Sequence, residues 1–147
     1  MIPYQSRIPV QDSYLKAVGQ AFYNFATAEW SVVYLGSLIS PSFVTRESGA
    51  DFGVVAREFA LLCDTGRFPE CTDISRRFAD ATAKRQDIVR SIPITASGGG
   101  QILDGSEAGK DTQWTEAEVL AFAEELQNLD IAANSLYYKL KGRSVNP

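Results

Sequence analysis

The strongest constraint on the fold lies in the last third of the chain. Thr115-Glu116-Ala117-Glu118 has the form of a capping box, with Thr115 as N-cap and Glu118 three residues on. Behind it Val119, Phe122, Leu126, Leu129, Ala133, Leu136 and Leu140 recur in steps of three and four. Only an α-helix lines up such a series, and an apolar stripe of that length has to be sealed against other helices. Gly142 is the expected stop. Trp114 is placed to pack on Val119 as a hydrophobic staple.

Three further helices read from the same periodicity. The first runs from near Gln11, after Pro9, to a point before Pro41; its stripe is Leu15, Val18, Phe22, Phe25, Glu29, Val32 and Ile39, widened by Tyr14, Ala21 and Val33. A shorter one covers about Phe52 to Cys63, with Phe52, Val55, Phe59 and Leu62 on one side and Gly66 and Pro69 closing it. The third begins near Thr72 or Asp73, either of which can cap it, and carries Ile74, Phe78, Ala81, Arg85 and Ile88. Between Arg90 and Thr115 the periodicity breaks at Pro93, Gly98-Gly99-Gly100, Gly105 and Gly109. Ile92–Thr95 and Gln101–Leu103 flank the three glycines and can pair as a short ribbon. No Gly-Lys-Ser/Thr follows them, so the loop is not a P-loop. The expected architecture is all-α: one domain over residues 1–147, a four- to five-helix up-and-down bundle with a Gly-rich loop or short β-hairpin at about 92–114.

Two of these stripes each contain one charge, and the charges are of opposite sign: Glu29 on the first helix, Arg85 on the third. A lone buried charge costs several kcal/mol. Glu29 and Arg85 are therefore expected to meet inside the bundle or at its rim.

Composition narrows the chemistry. The 147 residues include no histidine. A His-ligated metal, a Ser-His or Cys-His nucleophile pair and an imidazole base are all excluded from the chain itself. A carboxylate-bridged di-metal centre in a bundle also wants Glu-x-x-His pairs. No metal and no cofactor is expected. Fourteen basic and eighteen acidic residues leave a net charge of −4, which argues against general coating of DNA. Cys63 and Cys71 are too few for a structural zinc site and read as reduced thiols. Met1–Arg7 holds no apolar signal-peptide core, and the longest apolar run, Trp30–Ile39, falls short of the ~20 residues that span a bilayer. A cytoplasmic protein that makes no membrane contact is expected.

The chemistry-bearing segment is Ala83-Lys84-Arg85-Gln86-Asp87-Ile88-Val89-Arg90-Ser91, just before the glycine-rich excursion. It resembles the motif of the HEPN superfamily, an arginine usually followed by asparagine, then a short spacer and a histidine. Arg85 fills the arginine position, Gln86 stands where asparagine is usual, Asp87, Ile88 and Val89 match the spacer, and Arg90 stands where the histidine would be. The likeness extends to a long first helix carrying Phe22-Tyr23-Asn24-Phe25 and Glu29, and to a hairpin followed by a long final helix, so it covers about Tyr14 to Leu140. It implies a helical bundle that dimerises to form a composite cleft. In members with the intact motif it implies metal-independent RNA cleavage, the histidine acting on the 2′-hydroxyl and the arginine on the scissile phosphate.

Arg90 cannot accept a proton at ordinary pH, which argues against catalysis. Arg85 and Arg90, with Lys84 and Arg77, could still hold a phosphate of RNA or of a nucleotide. Tyr23, Trp30, Tyr34, Tyr137 and Tyr138 are candidate stacking platforms, although aromatic residues at helical spacing usually serve a core or a dimer interface. Three functions follow. The first is a catalytically degenerate HEPN-like module, homodimeric, which binds or assembles with RNA, a nucleotide or a protein such as an antitoxin in a toxin–antitoxin or defence setting. The second is an endoribonuclease, or an inactivated variant of one. The third is an unrelated helical-bundle adaptor for protein partners.

Overall fold

The computed structural model describes residues 8–44, 53–105 and 113–144, which form four helices and one small sheet. The helices are α1 (Asp12–Ser37), α2 (Val54–Cys63), α3 (Cys71–Arg90) and α4 (Glu116–Ser144). Strands β1 (Ile92–Thr95), β2 (Gln101–Asp104) and β3 (Gln113–Trp114) lie between α3 and α4. Phe52, expected on α2, lies outside the described residues.

The register of side-chain contacts fixes how the helices run. Ser13 meets Glu116, Asn24 donates to the Ala123 carbonyl, Ser31 donates to Asp130, and Tyr34 touches Tyr137. Both numbers rise together, so α1 and α4 are parallel. Lys84 pairs with Glu125 and Glu70 with Arg143, so α3 runs against α4. The three long helices thus alternate in direction. The sheet sits at the end where α1 and α4 begin and α3 stops.

The seam of α1 differs from the expected one. Tyr14, Ala17, Ala21, Phe25, Ala28, Val32 and Leu35 are buried, whereas Leu15 is 45% exposed and Val18 and Phe22 are only partly covered. The stripe is rotated toward the alanines because α1 packs mainly on α4, which offers Ala123 and Ala133 in return. Small side chains on both helices let the axes approach, and the contact residues set that spacing. On α4 the expected stripe is buried from Val119 to Leu140 except for the half-buried Leu136.

The ends differ in detail. Thr115 Oγ1 accepts the Glu118 N–H at 3.2 Å, as an N-cap should. Trp114 packs on Phe122, with ring centroids 5.8 Å apart. α3 starts at Cys71, ahead of Thr72 and Asp73, with Glu70 at the N-cap and no side-chain cap. Gly142 does not end α4, which continues to Ser144; Arg143 in that last turn bonds Glu70 at 2.7 Å. Cys63 and Cys71 are buried free thiols, with the Cys63 S–H directed at the Cys71 carbonyl at 3.6 Å. The side-chain interaction with the Cys71 thiol and then burial push the Cys63 thiol upward.

The glycine-rich excursion is an antiparallel sheet in the order β1-β2-β3. Ile92 pairs with Asp104 and Thr95 with Gln101, and the turn closes through Ala96 N–H to the Gly100 carbonyl at 2.7 Å. Gly99 in that turn has φ +90°, a left-handed backbone that favours glycine. Pro93, which lacks an N–H, sits in the edge strand β1, where a missing donor is tolerated. The third strand is an addition to the expected hairpin: Leu103 pairs with Trp114 and Asp104 with Gln113.

Candidate functional site

The second half of α3 carries the residues singled out above, and helical geometry divides them. At about 100° per residue, Arg85 and Arg90 are separated by roughly 140° around the helix. Arg90 is the last residue of α3 and is exposed. Arg85 points inward along the line of Phe78, Ala81 and Ile88 and is half-buried. Its guanidinium lies over the Phe25 ring at 4.5 Å from the centroid, with Phe22 at 5.9 Å, both within cation–π range. The crevice around it, lined by Ala21, Phe22, Ile88 and Phe122, encloses no ligand-sized space.

The other basic residues are turned elsewhere. Lys84 reaches α4, where Nζ meets Glu125 Oε2 at 2.6 Å and lies 5.8 Å from the Phe122 ring centroid. Arg77 leans on Asp73 at 3.6 Å, and Arg76 holds Asp73 at 2.8 Å and Asp80 at 3.6 Å. Gln86 lies beside Gly53 at the start of α2. In the single chain, Arg85, Arg90, Lys84 and Arg77 do not converge on one point.

Glu29 and Arg85 face each other across the α1–α3 seam closely enough for each to bias the other's titration. Among the ion pairs of the described residues, none joins them at contact distance. Burial holds the Glu29 carboxyl above the ordinary carboxylate value, and attraction to Arg85 opposes it. Burial also pulls the Arg85 guanidinium below its usual value, against the pull of Glu29. A carboxyl raised on folding contributes stability below its unfolded pKa and loses it as pH rises through the folded one. Glu29→Gln is therefore expected to gain on the parent as pH climbs from about 4 to 7. Urea midpoints across that range test this; a difference that stays flat, or runs the other way, refutes burial as the governing effect.

Asp87 does structural work at the motif. Trp114 Nε1 donates to its Oδ2 at 2.7 Å, tying β3 to α3. The same carboxylate lies so close over buried Gly105 that a Cβ there would fall 2.1 Å from Oδ2. Tyr14 completes the clamp from α1: its hydroxyl donates to the Trp114 carbonyl at 2.6 Å and accepts the Leu103 N–H at 2.9 Å. Burial raises the Tyr14 phenol, which keeps the hydroxyl a donor. In the sequence Tyr14 only widens an apolar face, and nothing marks it as a bridge.

Among the described residues, the concave features outside the motif include two. A 330 Å³ groove with apolar walls runs between the start of α1 and the sheet, past Val10, Tyr14, Val18, Pro93 and Leu103. A second, of 250 Å³, lies between α1 and α4 and is lined by Ser31, Tyr34, Asn134, Tyr137 and Tyr138. Three of the five candidate stacking residues line it, with Tyr34 touching Tyr137 and Tyr137 touching Tyr138, and Trp30 touches Tyr34 beside it. Tyr23 stands exposed on α1, outside this set of ring contacts.

Among the described residues, no cluster of three acidic or cysteine side chains could hold a metal ion, and no helix is long and apolar enough to cross a membrane. The chain matches no family model, no curated protein and no solved structure.

Proposed function

We propose that the chain is a HEPN-like helical domain, cytoplasmic and homodimeric, that works as a binding or assembly module rather than as a ribonuclease. The observation that carries this reading is the engagement of the motif's side chains in packing: Arg85 on Phe25, Lys84 on Glu125, Asp87 on Trp114. A general acid–base mechanism needs a proton acceptor within reach of the reacting hydroxyl, and Arg90 in the histidine position cannot be one. The order of elements is in keeping with the likeness: a long α1 with Glu29 facing the motif arginine, the motif in the second half of α3, a hairpin, then a long α4. The exposed Arg90 end of α3 is the face offered to a second copy, and RNA, a nucleotide or an antitoxin-like protein is the partner class that such an assembly would serve.

Sedimentation and an RNA-cleavage assay on the parent, Arg90→His and Arg85→Ala chains test the reading. The parent is expected to sediment as a dimer and to leave structured RNA intact; cleavage gained by Arg90→His and lost again when Arg85→Ala is added marks the site as a decayed ribonuclease. A strictly monomeric parent overturns the dimeric module. Cleavage by the parent that Arg85→Ala removes overturns it in favour of an active ribonuclease.

A further inference from the structure

We propose that the groove between α1 and α4 binds a small organic cation, an alkylated ammonium group held by tyrosine faces. Its walls are rings set nearly at right angles to one another. Tyr34 and Tyr137 lie 6.3 Å apart at 69°, and Tyr137 and Tyr138 lie 5.2 Å apart at 80°. Trp30 extends the wall, 5.5 Å from Tyr34. A flat base or sugar needs one broad parallel face. A compact cation is instead attracted to several ring faces at once, because each presents the negative side of its quadrupole.

Tyr137 is half-buried against the core, but the other rings stand out from it. Trp30 is 47% exposed, Tyr34 48% and Tyr138 63%. A contiguous exposed aromatic patch on a soluble domain usually marks a site of interaction. Its 250 Å³ lies just below the range of drug-sized pockets, about 300–1,000 Å³, which suits a head group rather than a larger molecule.

One charge of each sign stands near the groove. Asp130, held by Ser31 from α1, lies two helical turns before Tyr137 on the same side of α4. Arg143 is directed instead toward Glu70. Lys141 shows what the rings attract, since its own ammonium rests 5.6 Å from the Tyr137 ring centroid. An incoming cation competes with it. This site is independent of the reading of α3.

The test uses the full chain with choline, its neutral isostere 3,3-dimethylbutanol, and a tripeptide carrying trimethyllysine, followed by broadening of the ligand methyl resonances in NMR. Choline and the tripeptide are expected to bind and the isostere not to. Tighter binding of the tripeptide points to a protein-borne cation, and tighter binding of choline to a free one. Tyr138→Ala, on a surface ring whose loss leaves the core intact, is expected to weaken choline roughly five- to thirtyfold, while Tyr137→Phe retains it. Lys141→Gln is expected to tighten choline severalfold by removing the competitor. Equal binding of the isostere, weaker or unchanged binding by Lys141→Gln, or no choline binding at roughly 50 mM each overturns the proposal.

Discussion

Phe78→Ala is expected to lower the unfolding free energy by about 3–5 kcal/mol, the usual cost of emptying a buried phenylalanine site. Phe78 has no exposed surface and stacks on Phe25, with ring centroids 5.8 Å apart, where α3 meets α1. The cavity would open beneath the ring on which the Arg85 guanidinium rests, so packing and the placement of that charge would loosen together. Against a typical total of about 5–15 kcal/mol, the change removes a large part of what keeps the chain folded. Urea denaturation measures it. A loss below about 1 kcal/mol would contradict the seam as described.

The second large effect is expected at the junction of α3 and the sheet. Gly105→Ala would drive a methyl group into the Asp87 carboxylate, which lies 2.1–2.5 Å from the Cβ position. The carboxylate would have to swing away and release Trp114 Nε1. Overpacking and a lost charge-assisted hydrogen bond each cost about 1–3 kcal/mol. Asp87→Ala alone breaks the same bond but removes the obstacle. The double variant should therefore be less damaged than the two single losses added together, with a coupling of at least about 1 kcal/mol in a double-mutant cycle. Simple additivity would mean that the two residues do not share this contact.

What could be read in advance follows from how each feature is encoded. The stripe of α4 is legible because it is unbroken, and the ribbon at Ile92–Thr95 and Gln101–Leu103 because three glycines separate two apolar runs. The seam of α1 was misplaced by one position. Large apolar residues such as Leu15 and Phe22 draw attention, whereas a close helix–helix contact selects Ala17, Ala21 and Ala28. Gly142 has the form of a stop, but a glycine in an exposed last turn costs only about 1 kcal/mol, and Arg143 anchors that turn to Glu70. β3 escaped notice because a two-residue strand has no alternation to detect.

At the site, the inward direction of Arg85 was written in its stripe. The divergence of Arg90 follows from a spacing of five on a 3.6-residue helix, which the segment read as a string conceals. The aromatic groove was out of reach for a different reason. Trp30 and Tyr34 are joined to Tyr137 by the relative register of α1 and α4, and no local pattern states that register.

The parallel pairing of α1 with α4 also bears on how the chain is made. Its hydrogen bonds join residues about a hundred positions apart, such as Asn24 to Ala123 and Ser31 to Asp130. Ribosomes add roughly 5–20 residues per second, so α1 is complete some 5–20 s before the end of α4 is synthesised. Throughout that interval the alanine-lined side of α1 has no α4 to close on, and the nascent chain offers it to whatever chaperone stands nearest.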